Sequence, residues 1–159
     1  MILERVFNLK TFTHSDTADR LKIDNTEMTD EELENGQRLH SLLVEVLDRI
    51  RTKHHLPDAQ MKINSAYRSP KLNKAVGGVP TSQHCKFQSA DTVITGLTTE
   101  DYFSDLKELA KAGTMKFGQV IKEHIGDSKW VHISLFVKDK FENQFMIKEQ
   151  GKPYQHIEL

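Results

Sequence analysis

A chain of 159 residues, 37% hydrophobic and 28% charged, is the size and composition of one soluble globular domain with a substantial core. With 22 basic and 23 acidic side chains the net charge is -1, which supplies no electrostatic drive toward nucleic acid or an anionic membrane. No apolar run approaches the roughly 20 residues of a membrane helix, and a single cysteine excludes an internal disulfide.

The N-terminal stretch "MILERVF" is too short and too interrupted, by Glu4 and Arg5, to act as a secretory signal. Ser15-Asp16 can cap a short helix over "TADRLKI". A stronger start signal lies at Thr29, whose hydroxyl and the Glu32 carboxylate have the spacing of a capping box. Beyond it Leu39, Leu42, Leu43, Val46, Leu47 and Ile50 recur at helical intervals, so residues 30–54 are expected to form one long amphipathic helix. The tandem His54-His55 falls at its end, where a positive charge suits the helix C-terminus.

"MKINSAY" alternates like a strand, and "RSPKLNKAVGGVPTS" is rich in loop formers. "ADTVI" is expected to be a short strand, "TTEDYFSDLKELAKAG" a helix stopped by Gly113, and "KFGQVIKEH" with "KWVHISLF" a hairpin. "QFMIKE" is expected to add an edge strand. There is no repeat and no linker.

The chemistry concentrates in "PTSQHCKFQSAD", residues 80–91. A catalytic zinc takes three protein ligands and keeps one position for water. His84 and Asp91 could fold back onto one ion, and His132, in the middle of a strand, could be aimed at it by a rigid backbone. Spacing alone leaves the blander reading ahead, a surface histidine and an aspartate capping a strand.

The surrounding motifs carry more weight. "SAYRSPKLNKAVGGVPTSQH", then Asp91, then "WVHIS" resemble the zinc D-alanyl-D-alanine carboxypeptidases and the related phage cell-wall endopeptidases, in particular their short, single-domain phage branch. The resemblance runs from about Phe12, at "FTHSDTADRLKIDN", to Phe136. It implies that His84, Asp91 and His132 are zinc ligands, that Arg68 stabilises the oxyanion, and that Ser82 binds substrate. For Arg68 the plainer alternative is a salt bridge that braces the loop. Asn73 and the Gly77-Gly78 pair are expected to shape the loop, and Cys85 to be a small buried filler rather than a nucleophile.

Two departures from the family pattern stand out. Relatives often place a carboxylate three residues before the last histidine, where this chain has Lys129. If the hairpin turn has an even length, Glu123 shares a face with Trp130 and His132 and can serve as general base, with Gln119 further along that face. Asp127 is the fallback. The pattern H-x-x-G-x-A-x-D is also broken, with Phe87 for the glycine and Ser89 for the alanine. A phenylalanine there would strain the loop, narrow the cleft, or wall a subsite.

The expectation is therefore a single α+β domain over residues 1–159. It has an antiparallel sheet, a long N-terminal helix, a second helix packed on the sheet, and a zinc site at the sheet face. The resemblance implies a zinc metallopeptidase acting on peptidoglycan stem peptides, as a carboxypeptidase or an endopeptidase. The alternative is a non-catalytic zinc-containing wall-binding module. The expected setting is an endolysin-like phage or prophage product, made in the cytoplasm and acting on the cell wall as a monomer. Nucleic acid and membrane insertion are not expected.

Overall fold

Thr29 opens the long helix as its sequence demands: its hydroxyl accepts from Glu32 N–H at 3.1 Å and its own N–H donates to the Glu32 carboxylate at 2.9 Å. In the computed structural model, which describes residues 1–159, this helix (α3) spans Asp30–His54. It follows two short helices, α1 (Leu9–Thr13) and α2 (Asp16–Leu21), the latter capped by Ser15. Leu39, Leu43, Val46, Leu47 and Ile50 form the buried stripe of α3, and His55 ends it in the left-handed conformation.

The remaining elements are β1 (Met61–Ser65), α4 (Pro70–Ala75), a 3-10 helix over Gln83–Lys86, β2 (Ser89–Ile94), α5 (Thr99–Lys111), β3 (Phe117–Ile125), β4 (Ser128–Leu135), β5 (Gln144–Glu149) and β6 (Gln155–Ile157). The six strands form one sheet in the order β1-β2-β4-β3-β5-β6. Along β4 the side chains alternate between the sheet's two faces. Val131 and Ile133 join the core packed by α3 and α5, while Trp130 and His132 line a cleft on the opposite face.

Three expectations need correction. "RSPKLNKAVGG" is not all loop, because Ser69 caps α4 by accepting from Leu72 N–H at 3.2 Å and Pro70 occupies its first turn. Proline suits that position, where the missing N–H would have no partner. The sheet is not wholly antiparallel, since β5 runs parallel to β3. The chain leaving β4 crosses the start of β3, where Asn143 donates its N–H to Phe117 O at 2.8 Å and accepts from Phe117 N–H at 2.9 Å, so β5 must enter alongside β3. That makes β5 an interior strand, and β6 is the edge.

Candidate metal centre and cleft

Asp91 and His132 are direct partners across the antiparallel pair β2–β4, so register alone puts carboxylate and imidazole side by side. His84 comes from the 3-10 helix. Ser82 caps that turn, its hydroxyl accepting from His84 N–H at 3.2 Å, and Phe87 closes it in the left-handed conformation with φ 55°. Arg68 N–H donates to His84 O at 3.1 Å, which ties the turn to the segment after β1. All three side chains are buried, and their ligand atoms lie within 4.8 Å of one another.

The donor set can be tested for a metal through its outer hydrogen bonds. His84 Nδ1 lies 2.6 Å from Ala66 O, a carbonyl that can only accept, so this nitrogen carries the proton and Nε2 presents its lone pair. His132 Nε2 lies 3.0 Å from Gln83 Oε1, which likewise holds the proton there and frees Nδ1. Those two free nitrogens stand 3.4 Å and 3.0 Å from Asp91 Oδ1. Zinc held at about 2.0–2.1 Å by tetrahedral donors would separate neighbouring donors by about 3.3 Å. The residues present therefore fit the ion. Burial opposes ionisation of Asp91; when the inner nitrogens carry protons instead of facing a cation, the charge of His84 and hydrogen bonds from both histidines hold its carboxyl far below the usual range.

The three residues open onto a cleft of about 390 Å³. Glu123, Gln119, Ser82 and Arg68 also line it. Glu123 arrives there because the hairpin turn has two residues: Ile125 pairs with Ser128 and Glu123 with Trp130, with Gly126 at φ 59°. Burial pushes the Glu123 carboxyl upward, and the charge of Asp91 adds to this. His132, the Trp130 indole N–H and Arg68 pull the other way. That indole N–H is itself buried and without a hydrogen-bond partner of regular geometry. Asp127 is in the exposed turn and lines no part of the cleft. Lys129 points to Glu100, 3.6 Å away.

Arg68 makes the bracing contacts of the plainer reading and still faces the cleft. Its Nε donates to Ser65 Oγ at 3.0 Å and its Nη2 lies 3.6 Å from Asp91 Oδ2, while the side chain still lines the cleft. Ser82 accepts the cap bond on one of its two lone pairs and keeps its O–H proton to donate. Asn73 donates to Val79 O at 2.8 Å, and a Cβ on Gly78 would meet Asn73 Oδ1 at 2.0 Å, so both shape the loop.

Cys85 is only partly buried and sits in a 3-10 turn rather than a strand; burial pushes its thiol up, as expected of an inert cysteine. Phe87 neither narrows the cleft nor walls a subsite, since its ring is fully buried against Phe12 and Tyr67 at centroid distances of 5.7 and 5.5 Å. The backbone strain is the one expected effect that remains.

Sequence reasoning missed Gln83, which orients His132, and the cleft-rim residues Phe141 and Tyr154. It also missed Asn25, whose buried amide donates to Thr13 O and Tyr67 O at 2.8 and 3.0 Å and accepts from Ser69 N–H at 2.7 Å. A larger cavity, about 880 Å³, lies between α3 and α5 and includes none of the metal-centre residues.

A buried His–Asp–His set that could hold a metal ion thus opens onto a cleft of an α+β scaffold, the kind of donor set found in hydrolytic metal sites. The Peptidase M15 family model matches residues 11–134, and the chain belongs to that family, whose members are metal-dependent, typically zinc, peptidases of cell-wall peptides. A comparison with curated proteins found no match. No helix is long and apolar enough to cross a membrane.

Proposed function

We propose that this chain, as one peptidase domain over residues 1–159, hydrolyses peptide bonds in peptidoglycan stem peptides with zinc held by His84, Asp91 and His132. The observation that carries this reading is the pair of outer hydrogen bonds, Ala66 O on one imidazole and Gln83 Oε1 on the other, which leave both inner nitrogens free beside Asp91 Oδ1. A zinc ion bound there would polarise the scissile carbonyl and acidify water.

The chain's own residues supply the remaining chemistry. Glu123, half-buried and raised by its surroundings, accepts the proton released as water attacks and returns it to the leaving amine. Arg68, held by Ser65 and Asp91, presents fixed positive charge to the developing oxyanion with little reorganisation. Ser82 O–H and the Gln119 amide are the polar groups that orient substrate in the cleft. The rival reading, a wall-binding module that keeps zinc without catalysis, leaned on Phe87 and Lys129. A Phe87 ring turned away from the cleft removes half of its support. The short phage branch that the motifs resemble makes a monomeric phage or prophage wall enzyme the expected context.

The test uses zinc-loaded protein on purified peptidoglycan, with and without chelator. Chelator-sensitive release of new amino and carboxyl ends is expected. Binding without release would favour the module.

A further inference from the structure

We infer that Tyr154 is a substrate-contacting residue of the metal cleft, donating its hydroxyl to a backbone carbonyl of the bound peptide on the Glu123 side; the inference rests on the zinc-peptidase reading above. Tyr154 lies in the turn between β5 and β6, outside the residues 11–134 that the family model matches. It nevertheless lines the same cleft as His84, Asp91, His132 and Glu123. The chain has three tyrosines, and two of them use their hydroxyls inside the protein. Tyr67 donates to Glu27 O at 2.6 Å, and the Tyr102 hydroxyl lies 2.9 Å from Thr92 Oγ1. The Tyr154 hydroxyl makes no hydrogen bond to the protein. Its ring is 53% exposed and forms no part of the core, so packing does not account for it.

The turn that carries Tyr154 is fixed from two sides. Gln150 Oε1 accepts from Gly126 N–H at 2.8 Å, and Gln150 N–H donates to His124 O at 3.0 Å. Both bonds tie the turn to the hairpin that carries Glu123. Lys148 donates its ammonium to Lys152 O and stands 5.2 Å from the Tyr154 ring centroid. A ring held in this way loses little freedom when a ligand arrives.

Strand register puts these groups in a row. Asp91 pairs with His132, His132 with Ile121, and Glu123 with both Trp130 and Lys148, and paired residues project from one face of a sheet. Arg68 reaches Asp91 from the β1 side, 3.6 Å away, while Tyr154 rests against Lys148 on the β5 side. A peptide lying across the metal centre thus meets one donor on each side of it. Burial and the charge of Glu123 push the Tyr154 phenol upward, so its hydroxyl stays protonated and able to donate. A substrate carbonyl can accept that proton without breaking a hydrogen bond inside the protein.

Tyr154→Phe removes the hydroxyl alone, and the molecule carries its own reporter. Its single tryptophan, Trp130, lines the cleft, so fluorescence on rapid mixing reads binding of a synthetic stem-type peptide containing D-Ala before turnover. With zinc-loaded proteins, Tyr154→Phe should raise Kd about 3–10-fold, the size of one hydrogen bond, and lower kcat/KM by at least that factor. Zinc affinity and Tm should not change. Equal Kd and kcat/KM in the two proteins would overturn the inference. So would a loss in Tyr154→Ala that Tyr154→Phe does not share, because the ring alone would then make the contact.

Peptides with one carbonyl oxygen replaced by sulfur, a weaker acceptor, locate the bond. The difference in Kd between unmodified protein and Tyr154→Phe should shrink for a single position along the peptide. No such position would remove a carbonyl as the partner and sink the inference. Binding without cleavage by the unmodified protein would end the peptidase reading, while the Kd comparison still decides the role of Tyr154. Neither binding nor cleavage would overturn both.

Discussion

Gly36 and Phe87 are shaped for one another: a Cβ added at Gly36 would stand 2.5 Å from Phe87 Cε2. The family pattern has its glycine in the loop, at the position where Phe87 now adopts φ 55°. That backbone conformation is what the loop needs between the two ligands His84 and Asp91, and a non-glycine residue there costs roughly 1–2 kcal/mol. Here the loop carries the large side chain and α3 carries a glycine that gives it space. Burial of the ring, with centroids 5.5–5.7 Å from Tyr67 and Phe12, offsets the strain.

The pair should show a reversal of sign. Gly36→Ala alone gains about 1 kcal/mol of helix propensity but drives a methyl into the ring, and overpacking of that kind typically costs about 1–3 kcal/mol. Phe87→Ala removes a buried ring at about 3–5 kcal/mol. In the Phe87→Ala background the ring atoms are gone, so Gly36→Ala should become stabilising by up to about 1 kcal/mol. Urea denaturation of the four proteins measures the cycle, and additive effects would contradict direct contact.

Gln83 should control zinc affinity without being a ligand. Gln83→Leu removes the acceptor that holds the proton on His132 Nε2, so Nδ1 is no longer kept free beside Asp91. Loss of such an outer hydrogen bond costs about 10–100-fold in metal affinity. Competition with a chromogenic chelator gives the number, and Gln83→Glu, which keeps an acceptor, should restore the affinity. Gln83 is partly exposed, so the metal-free proteins should melt within a few degrees of one another.

Glu123 should separate chemistry from metal binding. Glu123→Gln keeps size and hydrogen bonding but cannot take the proton, so kcat should fall about 10²–10⁴-fold while zinc affinity changes little. Asp127→Asn, in the exposed turn, should leave kcat near the unmodified value. Equal losses in the two variants would remove Glu123 from its role.

What could be read in the sequence follows from how local each signal is. The Thr29–Glu32 box and the leucine stripe are written within a few turns, and α3 ends at His54 as expected. The face of Glu123 depended only on the parity of a short turn, and the two residues Gly126-Asp127 settle it. The α4 helix was lost because Pro70 and the two glycines weigh as loop formers, although Ser69-Pro70 is itself a helix start. Gln83 was illegible for another reason. Its partner lies 49 residues away, and only the 3-10 turn and the β2–β4 register bring the two together. The parallel entry of β5 likewise depends on Asn143 clamping Phe117, a contact with no local signature.

Asn25 tests whether the ligand loop is held from the N-terminal side. Its amide joins Thr13, Tyr67 and Ser69 through three buried hydrogen bonds, so it fixes the backbone on both sides of Arg68. Asn25→Ala leaves two carbonyls and one N–H without those partners in a buried site, at a cost of about 3 kcal/mol, or roughly 10 °C in Tm. Asn25→Asp keeps the shape but replaces the donating amide with a carboxylate facing Thr13 O and Tyr67 O, and should be no better. With the segment loosened, Arg68 loses its aim. In the fraction that remains folded, kcat should therefore fall while zinc affinity, set by Ala66 O and Gln83, holds within a few-fold. A variant with lowered Tm but unchanged kcat would confine Asn25 to stability alone.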